Sequence, residues 1–73
     1  MLHFERIKEL RIDHDKPQKE IAALLGVGQS YYSKQERGDK PFQIEQIIKI
    51  AEYYHVSADY ILGLPPNLDW PRK

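Results

Sequence analysis

Residues 29–38, QSYYSKQERG, gather short or flexible hydrogen-bonding side chains around a tyrosine doublet. On a helix, at about 100° per residue, Gln29, Ser30, Ser33, Lys34 and Arg37 share one arc of about 140°, with Tyr31, Tyr32 and Gln35 on the other side. A glutamine amide can bond adenine through two bonds, a serine hydroxyl donates or accepts, and a lysine reaches guanine O6 and N7 or a phosphate. A polar arc of this kind also suits plain exposure to water. The wheel alone separates neither these two uses nor the inward tyrosine from the outward one.

Other chemistry is thin. His14 stands between Asp13 and Asp15, but three consecutive residues at a helix end point in different directions and make a solvated turn, not a metal site. His3 and His55 have no partner near them in sequence, no nucleophile and base form a motif, and the glycines form no phosphate loop. The chain therefore reads as a non-enzyme with no cofactor and no metal. It has no cysteine, so packing alone must supply its stability, and a reducing cytoplasm is the expected location. No apolar run approaches the roughly 18 residues of a membrane span, and MLHFERIKEL carries helix-patterned charge where a signal peptide would be apolar. With 73 residues, 41% of them hydrophobic, there is room for one domain with a modest core and for no effector pocket.

The elements that must carry the polar arc are all helical, because apolar residues recur at three and four positions and never alternate. Phe4, Ile7 and Leu10 mark a first helix ending near Asp13, and Ile21, Leu24 and Leu25 a second from about Pro17, which fits a first helical turn. Gly26 ends it, and the third helix runs from about Gln29 to Arg37, closed by Gly38. Ile44, Ile47, Ile48 and Ala51 give a fourth. Ser57 caps a fifth, whose apolar contact comes from Tyr60, Ile61 and Leu62. Tyr53 and Tyr54 are expected to split, one into the core and one at the surface. LPPNLDWPRK, with three prolines, cannot form a helix of any length. The organisation is thus a folded domain over 1–64 and a tail over 65–73. Leu68 and Trp70 in that tail are expected to fold back on the core, before contact with a second subunit or disorder.

Five short helices with a glycine turn between the second and third outline a helix-turn-helix, and the residues are more specific than the outline. Gln18 at the start of helix two, Ala22, Gly26, QSYYSKQERG, Pro41 and the ending VSADYILG together resemble the phage-repressor and Cro-like, or XRE, family from about Phe4 to Leu64. That resemblance implies an all-α, five-helix bundle of the lambda-repressor-like type with helix three in the DNA major groove. It implies base contacts from Gln29, Ser30, Ser33 and Lys34, and backbone contacts from Gln18, Lys19, Tyr31, Arg37 and Lys40, with Gln18 and Gln29 packing together. Unpaired amides at the start of helix two would add an anion site. Arg11 and Glu36 correspond to a structural pair. Tyr32 takes the place of the aliphatic anchor under the recognition helix, its hydroxyl needing a partner such as Gln35, and Tyr31 lies at the rim beside Lys34.

Charge placement agrees in direction. Residues 29–40 carry Lys34, Arg37 and Lys40 against Glu36 and Asp39, while residues 42–63 carry Lys49 against Glu45, Glu52 and Asp59. The sequence departs from the family at Gly28, in place of a serine or threonine cap, at Gln35, usually apolar, at Phe42, usually a small capping residue, and at Asp39, an acidic residue in a phosphate-facing loop. Asp39 and the zero net charge predict weak non-specific affinity. The expected function is that of a transcriptional repressor binding double-stranded DNA as a homodimer through helix five and the tail. An antitoxin or restriction-system controller would share the same residues, and a protein-interaction module that has lost DNA binding is the reading from another class.

Overall fold

The computed structural model describes residues 2–63; Met1, Leu64 and the tail 65–73, with the expectations for Leu68 and Trp70, lie outside the described residues. Five helices follow one another: α1 (His3–Asp13), α2 (Gln18–Leu25), α3 (Gln29–Glu36), α4 (Ile44–Tyr54) and α5 (Ala58–Leu62). Among the described residues there is no strand. The fold is the expected all-α bundle of five helices.

Four of the helices stop in the same way. After α2 the Val27 amide donates to the Ala22 carbonyl at 3.0 Å and the Gly26 amide to Ala23 at 3.1 Å, with Gly26 left-handed at φ 71°. This paired closure satisfies the last carbonyls and turns the chain sharply, so three residues suffice to start α3. The same pair of bonds closes α3 at Gly38 (Gly38 to Gln35, Asp39 to Lys34), α1 at Asp15 and α4 at His55. Asp15 and His55 adopt φ of 54° and 57°, a conformation that is costly for residues with a Cβ. Gly38 is required twice over: φ is 85°, and a Cβ there would sit 2.7 Å from the Phe4 ring.

Helix starts differ from the sequence reading in one detail. Pro17 is the cap of α2, extended at φ −74° and ψ 155°, and not its first turn. Proline serves at either position because neither needs its amide. Ser57 caps α5 by accepting the Tyr60 amide at 3.0 Å. At α4 the cap is Gln43, whose amide donates to Gln46 Oε1 at 2.9 Å. Phe42, just before that cap, and Ile47, four residues after it, are both buried, the pattern of a hydrophobic staple. Phe42 is therefore not the capping position that the sequence reading took it for; the cap is Gln43.

The core consists of Ile7 and Leu10 of α1, Ile21, Ala22 and Leu25 of α2, Tyr32 of α3, Phe42, Ile47, Ile50, Ala51 and Tyr54 around α4, and Ile61 of α5. Helix α1 packs on α3 and α5, α2 on α3 and α4, and α4 on α5. Two expected stripes are corrected. In α4 the inward residues are Ile47, Ile50, Ala51 and Tyr54, whereas Ile44 and Ile48 are 62% and 47% exposed. In α5 only Ile61 is buried, and Tyr60 and Leu62 are exposed. A helix this short has one face against its neighbours, so three consecutive apolar residues cannot all enter the core. Tyr54 is buried as expected of one of the pair, but Tyr53 is half-buried against the core rather than at the surface, their rings edge to face at 5.0 Å.

Candidate nucleic-acid interface

Helix α3 has two unlike faces. Its inner face is Tyr32, Gln35 and Glu36, all buried. Glu36 takes two bonds from the Arg11 guanidinium, Nε to Oε2 at 2.6 Å and Nη2 to Oε1 at 3.1 Å. Arg11 spends its remaining nitrogen on the Lys16 carbonyl at 2.9 Å, so α1, the α1–α2 loop and α3 are tied by one side chain. Gln18 adds a bond from Nε2 to Glu36 Oε1 at 3.0 Å. A carboxylate only accepts, so the amide must turn its NH2 end to Glu36, leaving one N–H and the carbonyl oxygen for the surface. Burial pushes the Glu36 carboxyl up, but the bond from Arg11, the Tyr32 hydroxyl beside it and the bond from Gln18 outweigh burial and hold it below its ordinary value. The Arg11 guanidinium is correspondingly raised, first by its bond to Glu36.

Gln35 is wholly buried and is not the partner of Tyr32. Both of its amide hydrogens are committed, to the Pro41 carbonyl at 2.8 Å and to Gln46 Oε1 at 2.9 Å. It stitches α3 to the loop and to the first turn of α4, so that the inward amide finds acceptors for both hydrogens, while its Oε1 is buried without a partner. Tyr32 packs edge to face on Phe42, with ring centroids 6.2 Å apart. Its hydroxyl is buried without a hydrogen bond of normal geometry; burial first, and then the Glu36 carboxylate, raise its pKa above the ordinary tyrosine value.

The outer face carries Gln29, Ser30, Tyr31 and Lys34 in the open and Ser33 half-buried. An open cleft of about 380 Å³ is lined by Gln18, Gln29, Ser30, Ser33 and Arg37, so the start of α2 and the length of α3 contribute to one surface. Lys34 is exposed on the same helix but does not line that cleft. Arg37 bridges two residues: Nη1 donates to Ser33 Oγ at 3.0 Å and Nε to Asp39 Oδ2 at 3.3 Å. Lys19 and Lys40 are exposed, and neither they nor Lys34 form an ion pair among the described residues. No side chain caps the starts of α2 or α3, which leaves their first amides facing outward with the positive end of each helix dipole. Tyr31 is 39% exposed at the edge of this face.

Sequence reasoning missed three features: the Gln18 bond to Glu36, the Gln35 stitch and the Arg37 bridge. Only the last had a visible signal, since Ser33 and Arg37 are one helical turn apart. His14 is exposed, with Nδ1 2.8 Å from the Leu10 carbonyl and its ring 4.7 Å from that of Tyr54. Among the described residues, no group of acidic or histidine side chains could hold a metal, and no helix is long and apolar enough to cross a membrane.

A family model described as helix-turn-helix matches residues 7–61. The chain is 31% identical over 68 residues to the uncharacterized HTH-type transcriptional regulator YobD of Bacillus subtilis strain 168, covering 93% of this chain and 61% of that protein. It is 32% identical over 65 residues to the cryptic phage CTXphi transcriptional repressor RstR of Vibrio cholerae, covering 88% and 59%. It is 36% identical over 59 residues to the HTH-type transcriptional regulator ImmR of Bacillus subtilis strain 168, covering 81% and 46%. The chain thus spans about half to three-fifths of the length of these relatives. No solved structure matches it significantly.

Proposed function

The chain belongs to the Cro-like, or XRE, helix-turn-helix family, and from that premise we propose that it binds double-stranded DNA sequence-specifically, with α3 in the major groove, as a dimeric transcriptional repressor. The observation that carries the reading is the division of α3: a buried inner face anchored to α1, α2 and α4, and an outer face of glutamine, serine and lysine that continues into the α2 start. A helix so held presents its side chains at defined positions, which reading base edges requires.

Gln29, Ser30, Ser33 and Lys34 are assigned to base edges. Gln18, Lys19, Tyr31, Arg37 and Lys40, with the free amides at the α2 start, are assigned to the sugar-phosphate strand, where they set register. The name of the relative RstR supports repression. A two-fold dimer would place two recognition helices about 34 Å apart on a near-palindromic site, each reading about five base pairs. Tyr60 and Leu62 of α5, both exposed, supply apolar surface for that dimer. The zero net charge sets a modest electrostatic contribution: log K should fall against log[salt] with a slope of about −4 to −6 for the dimer.

Selection of bound duplexes from a random pool tests the proposal. The expected result is an enriched, two-fold symmetric site whose affinity falls on Gln29→Ala and Lys34→Ala. Failure to enrich any site, or a salt slope near zero, would overturn it in favour of a protein partner.

A further inference from the structure

Asp39 is an acidic residue at the end of the face assigned to DNA, and its position is fixed by the fold. The turn that closes α3 directs it: Gly38 is left-handed at φ 85°, and the Asp39 amide is held by the Lys34 carbonyl at 2.9 Å. The carboxylate is thereby brought back over the last turn of α3, where Oδ2 meets Arg37 Nε at 3.3 Å. Arg37 in turn lies along the helix, one nitrogen on Ser33 Oγ at 3.0 Å. Ser33 and Arg37 both line the cleft shared with Gln18, Gln29 and Ser30. A carboxylate on a guanidinium at such a surface occupies the place that a phosphate oxygen would take, because both are anionic acceptors that an arginine fork recognises in the same way.

Resting on the DNA-binding reading, we propose that Asp39 is an internal competitor of the DNA phosphate for Arg37, one that latches the guanidinium to Ser33 in the free domain and so sets the affinity for DNA. On binding, Arg37 exchanges the carboxylate for a phosphate and Ser33 is released to the groove. Asp39 is then a positioning residue acting through Arg37, and not only a negative charge that repels the backbone. Both side chains are more than half exposed, so the latch is weak enough to open; at exposed pairs of this kind its removal is worth up to about fivefold in affinity per protomer.

The test is a double-mutant cycle by fluorescence anisotropy on the full chain, with a random-sequence duplex and with the selected site, across a salt series. Wild type, Asp39→Asn, Arg37→Gln and the double variant are compared, each checked for an unchanged melting curve; all the changes lie at exposed positions. Asp39→Asn should tighten binding to both duplexes by a similar factor with little change of salt slope, because Arg37 neutralises the same phosphate in both complexes. In the Arg37→Gln background the same change should gain less than a third as much. An equal gain in both backgrounds would overturn the latch in favour of direct repulsion while leaving DNA binding intact. Weaker binding by Asp39→Asn would overturn it too, by showing that the carboxylate holds Arg37 in its binding pose. Absence of DNA binding in wild type and variants alike would instead refute the underlying function, and the latch with it.

Discussion

Tyr31 and Tyr32 are adjacent in the chain yet belong to two faces of α3 that obey different physical rules. Around Tyr32 most polar groups are paired, Glu36 with Arg11 and Gln18 and the Gln35 amide hydrogens with Pro41 and Gln46, and the ring packs on Phe42; the Gln35 Oε1 and the Tyr32 hydroxyl are buried without a hydrogen bond. Around Tyr31 the side chains are exposed, and the one internal bridge, Arg37 to Ser33 and Asp39, is itself open to solvent. The buried face converts polar groups into specificity of fold, because an unpaired polar group there costs the full loss of its hydration. The open face keeps its hydrogen-bonding capacity free for a partner, which a recognition surface needs.

Breaking the inner face should have the largest effect. Glu36→Ala leaves the Arg11 guanidinium in a largely buried site, its side chain only 13% exposed, without its carboxylate, and should destabilise the domain by about 3–5 kcal/mol in urea unfolding. Tyr32→Ala removes a ring from the core and should cost a similar about 3–5 kcal/mol. Either loss approaches the whole stability of a domain this small, so both variants are expected to be largely unfolded at 37 °C.

On the open face the pattern should reverse. Gln29→Ala and Lys34→Ala should leave the melting temperature within about 2 °C of wild type while each costs about 1–3 kcal/mol of binding to the selected site. Tyr31→Ala belongs with them: folded, with weakened binding. A Tyr31→Ala variant that unfolds, or a Tyr32→Ala variant that keeps its melting curve, would break the contrast between the faces.

Acid sharpens it further. Glu36 is held below its ordinary carboxylate value of 4.5, so the folded state favours the ionised form. The stability this contributes is fully present above pH 4.5 and is lost as pH falls through the lower value of the folded state. Urea midpoints measured from pH 6 downward should drop in wild type and drop less in Glu36→Gln, which starts lower and has no carboxylate to protonate. The smallest effect is expected at Tyr32→Phe. Its hydroxyl is buried without a normal hydrogen bond, so removing it should change stability by less than about 1 kcal/mol. A larger loss would mean that the hydroxyl supports Glu36 more strongly than its geometry indicates.

The helices themselves were legible in the sequence because helical periodicity and glycine closures are local signals. Ile7, Leu10, Ile21 and Leu25 lie inward as their spacing requires, and Gly26 and Gly38 stop helices where expected. Ile44 and Ile48 were not legible as outward residues, because an apolar stripe one helical turn long does not say which side a neighbouring helix will cover. The inner face of α3 was legible only in part. Gln35 bonds a carbonyl six residues on and an amide on another helix, and no local pattern in the chain announces such partners. For the same reason the sequence suggested a bond between Gln35 and Tyr32, which are neighbours on one helix, where the structure uses partners off the helix. The outer arc was easier to find, since it depends on helical geometry alone.

What the sequence by itself determined is therefore the set of helices, their endings and the polar arc of α3, all consequences of interactions spanning four or five residues. The burial of Tyr32 and the Arg11–Glu36 pair followed from the family resemblance and from no local pattern, whereas only the tertiary structure decided that Gln18 joins Arg11 on Glu36, which acceptors take the Gln35 amide hydrogens, and that Asp39 turns back onto Arg37. Those outcomes rest on contacts between distant segments, or on the direction a closing turn gives to a side chain. Burial makes the first kind obligatory, and only the assembled helices define what is buried.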